Sequence, residues 1–332
     1  MADLTTSYMG LRLENPLVVS SSGLTGSVKG VQKCADAGAG AVVLKSMFEE
    51  LIVAHSKDLD LEILQSEHPE AYEYIRAEIG KQLGPIPYLR FIEDVRKHIH
   101  IPVIASINCT SPQWWLPYAR DIESAGAHAI ELNISHFPEG ASRNLRDVEK
   151  LYARITSELA GRVKIPVAVK IGMYFTSIGD VVQDIAAAGA KGIVLFNRYY
   201  TVDMNIEQKR FVPSMTFSSH QEMSLPLRWV GLLTGTIRCD IAASTGIHET
   251  GDVIKMLMAG ASVTQLCSVL YSKGIAHLGK IREELDAWLD SHGYASVADI
   301  RGAALRESGN RETLLHRLQY IKTLDEADRY EG

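Results

Sequence analysis

The sequence predicts an α/β chain of eight alternating strand–helix units closed into a (β/α)8 TIM barrel, and three observations predict it. The first is an internal echo. The triplet Ala-Gly-Ala occurs at Ala37–Ala39, Ala125–Ala127, Ala188–Ala190 and Ala259–Ala261. Each time it closes a helix-like stretch and opens an apolar run: AVVLKS, AIELNIS, GIVLFN and SVTQLCS. Glycine after a helix takes the left-handed cap conformation cheaply, and small alanines let helix and strand approach closely. The second observation is a set of runs between these. Pro16 precedes LVVSSSG, Pro102 precedes VIASIN and Pro166 precedes VAVKIG, and CDIAAST supplies a fourth run at Cys239–Thr245. Proline at the start of a strand costs no ladder hydrogen bond. The third is helical spacing between the runs, which makes the sheet parallel and covered by helices.

The elements follow in order. After the first strand, Val28, Val31, Ala35 and Gly38 keep helical spacing; before the third, Tyr88, Ile92, Val95 and Ile99 do so. Leu145, Val148, Leu151, Tyr152, Ile155 and Leu159 form the clearest amphipathic helix, and Ile178, Val181, Val182 and Ile185 follow the fifth strand. An open doubly wound sheet is the structural alternative, but no GxGxxG follows the first strand. Two insertions interrupt the rhythm: residues 48–87 after the second strand, and residues 199–226 after the sixth, where Val202–Val212 suits a hairpin. Both leave the C-terminal face, where substrate covers sit. The reading is a single domain over 1–332, with the barrel at about 16–295 and a C-terminal extension at about 296–332 that ends in a helix and polar tail.

Composition narrows the class. The chain has 332 residues, 34 basic and 40 acidic, for a net charge of −6 without a basic block. That argues against nucleic acid as a partner. The four cysteines, Cys34, Cys109, Cys239 and Cys267, contain no CxxC pair, so a zinc or iron–sulfur site and a disulfide framework are not expected. No metal is expected. Met1–Gly10 does not read as a signal peptide, and no apolar run reaches membrane-spanning length. A cytoplasmic protein without membrane contact is the expectation.

Chemistry in such a barrel stands at the C-terminal strand ends. Here they are polar in every unit. In strand order they offer Ser20, Ser21, Ser22 and Gly23; Lys45 and Ser46; Ser106 and Asn108; Asn133, Ser135 and His136; Lys170; Asn197; Ser244, Thr245 and Gly246; and Cys267 and Ser268. The lysines are the sharpest signal. Lys45 and Lys170 close apolar strands with no carboxylate beside them in sequence, so each either snorkels to water or faces an anionic or electron-rich ligand. Near a flavin, a cation stabilises the reduced form. The loops after strands seven and eight suit a phosphate: STG leads into a helix start with free N–H groups, and Gly246 lets backbone come close. His136 suits a general base, with Ser135 beside it. Two other readings compete: a phosphate-sugar lyase or isomerase using Lys170 as a Schiff-base lysine, and a barrel that binds FMN without turnover.

These residues together resemble the dihydroorotate dehydrogenase family, FMN-binding barrels of pyrimidine metabolism. LTTSYMGLRLENPLVVSSSG resembles its N-terminal hairpin and first strand, VLKS its flavin lysine, ELNIS its ELN-x-S stretch and AVKIGMYF its strand-five lysine motif. STGIHETGDVIKMLMAGAS resembles its phosphate segment, and YASVADIRGAAL its C-terminal segment. IASINC to ELNISHFPEG is also similar to the FMN domain of dihydropyrimidine dehydrogenase. The resemblance implies FMN contacts from Ser21, Ser22, Lys45, Ser46, Ser106, Asn133 and Lys170, with phosphate near Ser244–Gly246 and Cys267–Ser268. It implies oxidation of dihydroorotate or a related dihydropyrimidine-like ring: a base takes the C5 proton and a hydride leaves C6 for the flavin. The family's Cys-Pro-Asn after ELN-x-S is replaced here by His136-Phe137-Pro138, which makes His136 the expected base. The electron acceptor is not named by any motif, and barrels of this type commonly pair as homodimers.

Overall fold

The computed structural model describes residues 1–49, 85–109, 116–134, 145–198, 201–214 and 217–307. Eight parallel strands carry the fold: β3 (Leu17–Val19), β4 (Ala41–Val43), β6 (Val103–Cys109), β7 (Ala129–Ile134), β8 (Val167–Ile171), β9 (Gly192–Leu195), β12 (Asp240–Ser244) and β13 (Val263–Leu266). They are the eight runs read from the sequence. Each pairs with the next, β13 returns to β3, and β4 pairs directly with β6. No edge is left between these eight strands, so the sheet is a closed barrel rather than an open one.

The sequence devices act as expected. Gly38, Gly126, Gly189 and Gly260, the centres of the four triplets, all take positive φ, between 91° and 112°. A Cβ at Gly260 would lie 2.2 Å from the Thr234 side chain. Pro16, Pro102 and Pro166 donate nothing, yet their carbonyls accept from Thr264, Val42 and Ile130 across the ladder. The helices α1 (Val28–Asp36), α2 (Pro85–His98), α3 (Ala119–Ser124), α4 (Leu145–Ala160), α5 (Ile178–Ala187), α6 (Ser224–Leu233) and α7 (Thr250–Ala259) ring the barrel. Their apolar faces supply its outer core, as Ile92 and Val95 of α2 and Val181, Val182 and Ile185 of α5 show.

The insertions are narrower than the sequence suggests. Met47 and Phe48 form a short strand, β5, that extends β6, and α2 already begins at Pro85, where a proline needs no N–H partner. Residues 50–84 lie outside the described part. The second insertion contains the expected hairpin, β10 (Thr201–Asn205) and β11 (Arg210–Ser214), and ends before α6 at Ser224. Beyond β13 come α8 (Ser268–Lys273), α9 (His277–Ser291), α10 (Val297–Ile300) and α11 (Ala303–Glu307). The tail expected from Ser308 on lies outside the described residues.

The barrel's inner wall is graded along its axis. Near the N-terminal ends it is apolar: Val18, Ala41, Val43, Ile104, Ala129, Ala168, Val194, Ala242 and Val263 face one another. A hairpin of β1 (Thr6–Tyr8) and β2 (Leu11–Leu13) packs Tyr8, Met9 and Leu13 onto them and fills that end. Asp240 fastens this plug. Its carboxylate accepts from the Met9 amide (2.8 Å), from Ser262 (2.7 Å) and from Arg301 (3.0 Å). Arg301 lies in the segment after α10, so the start and end of the described chain meet at one aspartate.

Tyr8 is fully buried, and its hydroxyl has no hydrogen-bond partner among the described residues. An unpaired buried hydroxyl costs free energy, whereas its ring fills the plug. Tyr8→Phe should therefore leave stability within about 1 kcal/mol or raise it. Tyr8→Ala should cost about 3–5 kcal/mol. Urea denaturation midpoints of the two variants check this.

Candidate active site at the C-terminal strand ends

Strand periodicity decides which side chains reach the barrel axis. Val18, Ile104, Ala129, Ala168 and Val263 face inward near the plug, so residues two and four positions further on face inward nearer the mouth. That set includes Ser20, Ser106, Asn108, Glu131, Asn133, Lys170, Gln265 and Cys267. The same alternation that makes the closed end apolar makes the open end polar.

Lys170 sits at the centre of this layer, 8% exposed. Its Nζ donates to Ser20 Oγ (3.1 Å) and to Gln265 Oε1 (3.3 Å). Ser20 also donates to Gln265 Oε1 (3.1 Å). The Gln265 amide nitrogen in turn donates to Glu131 Oε2 at 2.5 Å. Glu131 and Gln265 are deeply buried, and Glu131 Oε1 has no partner among the described residues. Neither residue was singled out by the sequence reading. Each is a polar residue in the middle of an apolar run, and strand parity alone would have placed it beside Lys170.

Two further groups line the mouth. A hydroxyl chain runs from Ser21 to Ser46 (3.0 Å) and from Ser46 to Ser106 (2.7 Å), joining three strands. Behind it the Tyr88 hydroxyl accepts from the Ser106 amide at 2.9 Å, and burial pushes the phenol well above its usual range. Across the barrel, Asn197 Nδ2 donates to Asn133 Oδ1 (2.8 Å), and Asn133 stands in register with Asn108 on one side and Lys170 on the other. Lys45 follows β4, and Gly26 leaves room for its stem. Ser22 caps the 3-10 turn that begins at Gly23, and a side chain at Gly23 would meet the Tyr271 hydroxyl. Ser135 and His136 lie outside the described residues.

The loops after β12 and β13 meet. Thr245 and Gly246 both take positive φ, 79° and 75°, and a Cβ at Gly246 would lie 2.4 Å from the Met223 nitrogen. Gly246 N donates to Ser218 Oγ (3.3 Å), and Ser218 N donates to Ser268 Oγ (3.0 Å). Ser218 and His248 are additions to the sequence reading; His248 lies two residues past Gly246, whereas Ser218 comes from a loop distant in sequence, so spacing could not reveal it. The start of α7 differs from the expectation. The His248 and Glu249 amides both donate to Asp252 Oδ2 at 3.0 Å, so that helix start carries its own carboxylate. Amides for an anion are therefore to be sought at the Cys267–Ser268 turn, where α8 has no side-chain cap, and beside it at Thr245–Gly246, where the Gly246 amide is held by the Ser218 hydroxyl at 3.3 Å. Ser244 lies in register with Gln265, just inside that mouth.

A hollow of about 710 Å³ lies at the opposite end, lined by Met9, Lys164, Lys191, Arg238 and Asp240 among others. It adjoins the plug rather than the polar strand ends, so it is not the candidate site. Among the described residues no cluster of three or more His, Cys, Asp and Glu could hold a metal, and no helix is long and apolar enough to cross a membrane.

The comparisons with known proteins point to one family. Residues 83–289 match the family model described as dihydroorotate dehydrogenase. The chain is 28% identical over 315 residues to the dihydroorotate dehydrogenase B (NAD(+)) catalytic subunit of Thermoplasma acidophilum, covering 92% of this chain and all of that protein. It is 28% identical over 310 residues to an Aeropyrum pernix protein provisionally named dihydroorotate dehydrogenase A (fumarate), covering 92% and 98%. It is 25% identical over 309 residues to the Pyrococcus abyssi dihydroorotate dehydrogenase B (NAD(+)) catalytic subunit, covering 91% and 99%.

The thiols give a pH prediction. Burial pushes Cys34 up to about 11 and Cys239 up to about 12, and it raises Cys267 despite the opposing pull of Lys170 and Ser22. Unfolded thiols ionise from about pH 8.5. The unfolded state then loses protons that the folded state keeps, so stability should fall as pH rises through that window. Urea midpoints between pH 8 and 11 measure it. Cys34→Ser/Cys239→Ser should flatten the decline.

Proposed function

Because the chain belongs to the dihydroorotate dehydrogenase family, we propose that it is an FMN-dependent oxidoreductase acting on the CH–CH bond of dihydroorotate or a related dihydropyrimidine-like ring. The observation that carries the reading is Lys170: a buried cation at a strand end, held by Ser20 and Gln265, with the Asn133–Asn197 pair beside it. An ammonium has three N–H donors, and two are engaged. The donor set fits a flavin. A lysine cation, serine hydroxyls and two amides suit a planar ring rich in carbonyl and nitrogen acceptors, and the Thr245–Gly246 and Cys267–Ser268 turns suit its phosphate.

Bound there, FMN supplies the two-electron acceptor that no side chain provides. The chain's own residues do the rest. Lys170 and Lys45 hold positive charge at the mouth. Ser21, Ser46 and Ser106 form a hydroxyl wall, backed by Tyr88. Asn133, Asn197 and Asn108 fix the orientation of planar ligands. Gly23, Ser22, Ser244, Thr245, Gly246, Cys267 and Ser268 line the remaining turns. His136, which follows Asn133 and Ser135 on the same strand end in sequence, takes the substrate's ring proton. The relatives' names give two acceptors, NAD(+) and fumarate, so similarity supports the oxidation of substrate and leaves the acceptor open. The four free cysteines suit a cytoplasmic setting. A Schiff-base lyase is less well supported, because the family model and the relatives' names all point to dihydroorotate dehydrogenase.

The purified protein should show a flavin spectrum, release FMN on denaturation and bleach anaerobically with dihydroorotate. A colourless protein that takes up no FMN would overturn the reading. Lys170→Ala should weaken FMN retention or lower its potential, and an unchanged content and potential removes that role. His136→Ala should slow flavin reduction by roughly 10²–10⁴-fold if it is the base. Stopped-flow reduction rates decide it.

A further inference from the structure

Among the described residues Glu131 is the least exposed of the acidic and basic side chains, and it does no chemistry in the reading above. It is 1% exposed, and one of its two oxygens has no hydrogen-bond partner among the described residues. A half-satisfied buried carboxylate is a poor stabilising device, since an apolar residue of equal volume often does better. Its one bond is therefore informative. Glu131 Oε2 accepts from the Gln265 amide nitrogen at 2.5 Å. The other end of that amide, Oε1, accepts from Lys170 and from Ser20.

The chemistry of the three groups allows one arrangement. An ammonium only donates, a carboxylate only accepts, and an amide does one at each end. With the carboxylate below, the amide must present its oxygen upward. Without it, the amide can rotate and turn its NH2 toward the cation, which repels Lys170 from its seat. All three residues are held on adjacent or facing strands of a closed sheet, which leaves them little room to adjust.

We propose that Glu131 is a positioning residue for Lys170: acting through Gln265, it fixes the amide so that its oxygen holds the ammonium at the barrel mouth. The flavin arm of the test rests on the proposed function; the second arm does not. Removing Glu131 also removes a negative charge, so the comparison must be between two neutral variants. Glu131→Gln keeps an acceptor for the Gln265 nitrogen, and Glu131→Met removes it. The ratio of dissociation constants for oxidised and reduced FMN should be roughly tenfold less favourable to the reduced form in Glu131→Met than in Glu131→Gln, the factor expected from one charge-assisted hydrogen bond. With Lys170→Met added to both, the difference should vanish. Equal ratios in the first pair, or a difference that survives the second, would overturn the proposal.

Mass-spectrometric labelling of Lys170 with an amine-acylating reagent reads the same positioning in purified protein, whether or not FMN binds. Glu131→Met should label several-fold faster than Glu131→Gln, with thermal melts confirming that both are folded. Should Glu131→Met not fold, Gln265→Asn, which draws the amide back from Lys170, should show the same faster labelling relative to wild type. Labelling at the reference rate overturns the proposal in either case. A wild-type protein without flavin would refute the proposed function, while labelling still decides the role of Glu131.

Discussion

Closure of the sheet is the constraint from which the remaining architecture follows. Once β4 pairs with β6, every second side chain of eight strands is committed to a shared interior. That interior has a fixed diameter and must be filled. Small and branched residues fill it near the N-terminal ends, and the plug of Tyr8, Met9 and Leu13 completes the packing. Further along, the same positions carry Ser20, Ser106, Glu131, Asn133, Lys170 and Gln265. A cation and a carboxylate enclosed there must be matched by neighbours, which is why Lys170, Ser20, Gln265 and Glu131 are bonded in one chain. The polar layer is thus a consequence of the strand period continuing past the apolar layer.

Much of the barrel was legible because its signals are local. A glycine that must adopt positive φ after a helix, or a proline that must begin a strand, announces itself within a few residues. Seven of the eight strands are read from one of these marks; β12 is placed by its own apolar run. The edges of the insertions were misjudged where local signals are ambiguous. Pro85 and Pro87 read as loop residues, yet they occupy the first turn of α2, and Met47–Phe48 is too short to show a period.

The site was legible at its rim and opaque in its depth. Lys170 and Asn133 stand out as polar residues closing apolar runs. Glu131 and Gln265 are embedded one turn of the pleat deeper, where a polar residue is easily taken for an irregularity in a buried strand. Ser218 was invisible for another reason: it reaches the β12 and β13 loops from a segment that no spacing links to them. The self-capped start of α7 shows the converse. Glu249 and Asp252 could be read as ordinary surface acids, yet they occupy the donors that a helix start would otherwise present. The sequence comparisons agree on the family, and the names of the relatives divide over the electron acceptor.

The plug has a kinetic consequence. A barrel filled at one end by Tyr8, Met9 and Leu13 is closed there, so a ligand of the polar strand ends arrives and departs at the mouth. Two ligands that both need the same side chains at that mouth would exclude each other, and each would slow the other's entry.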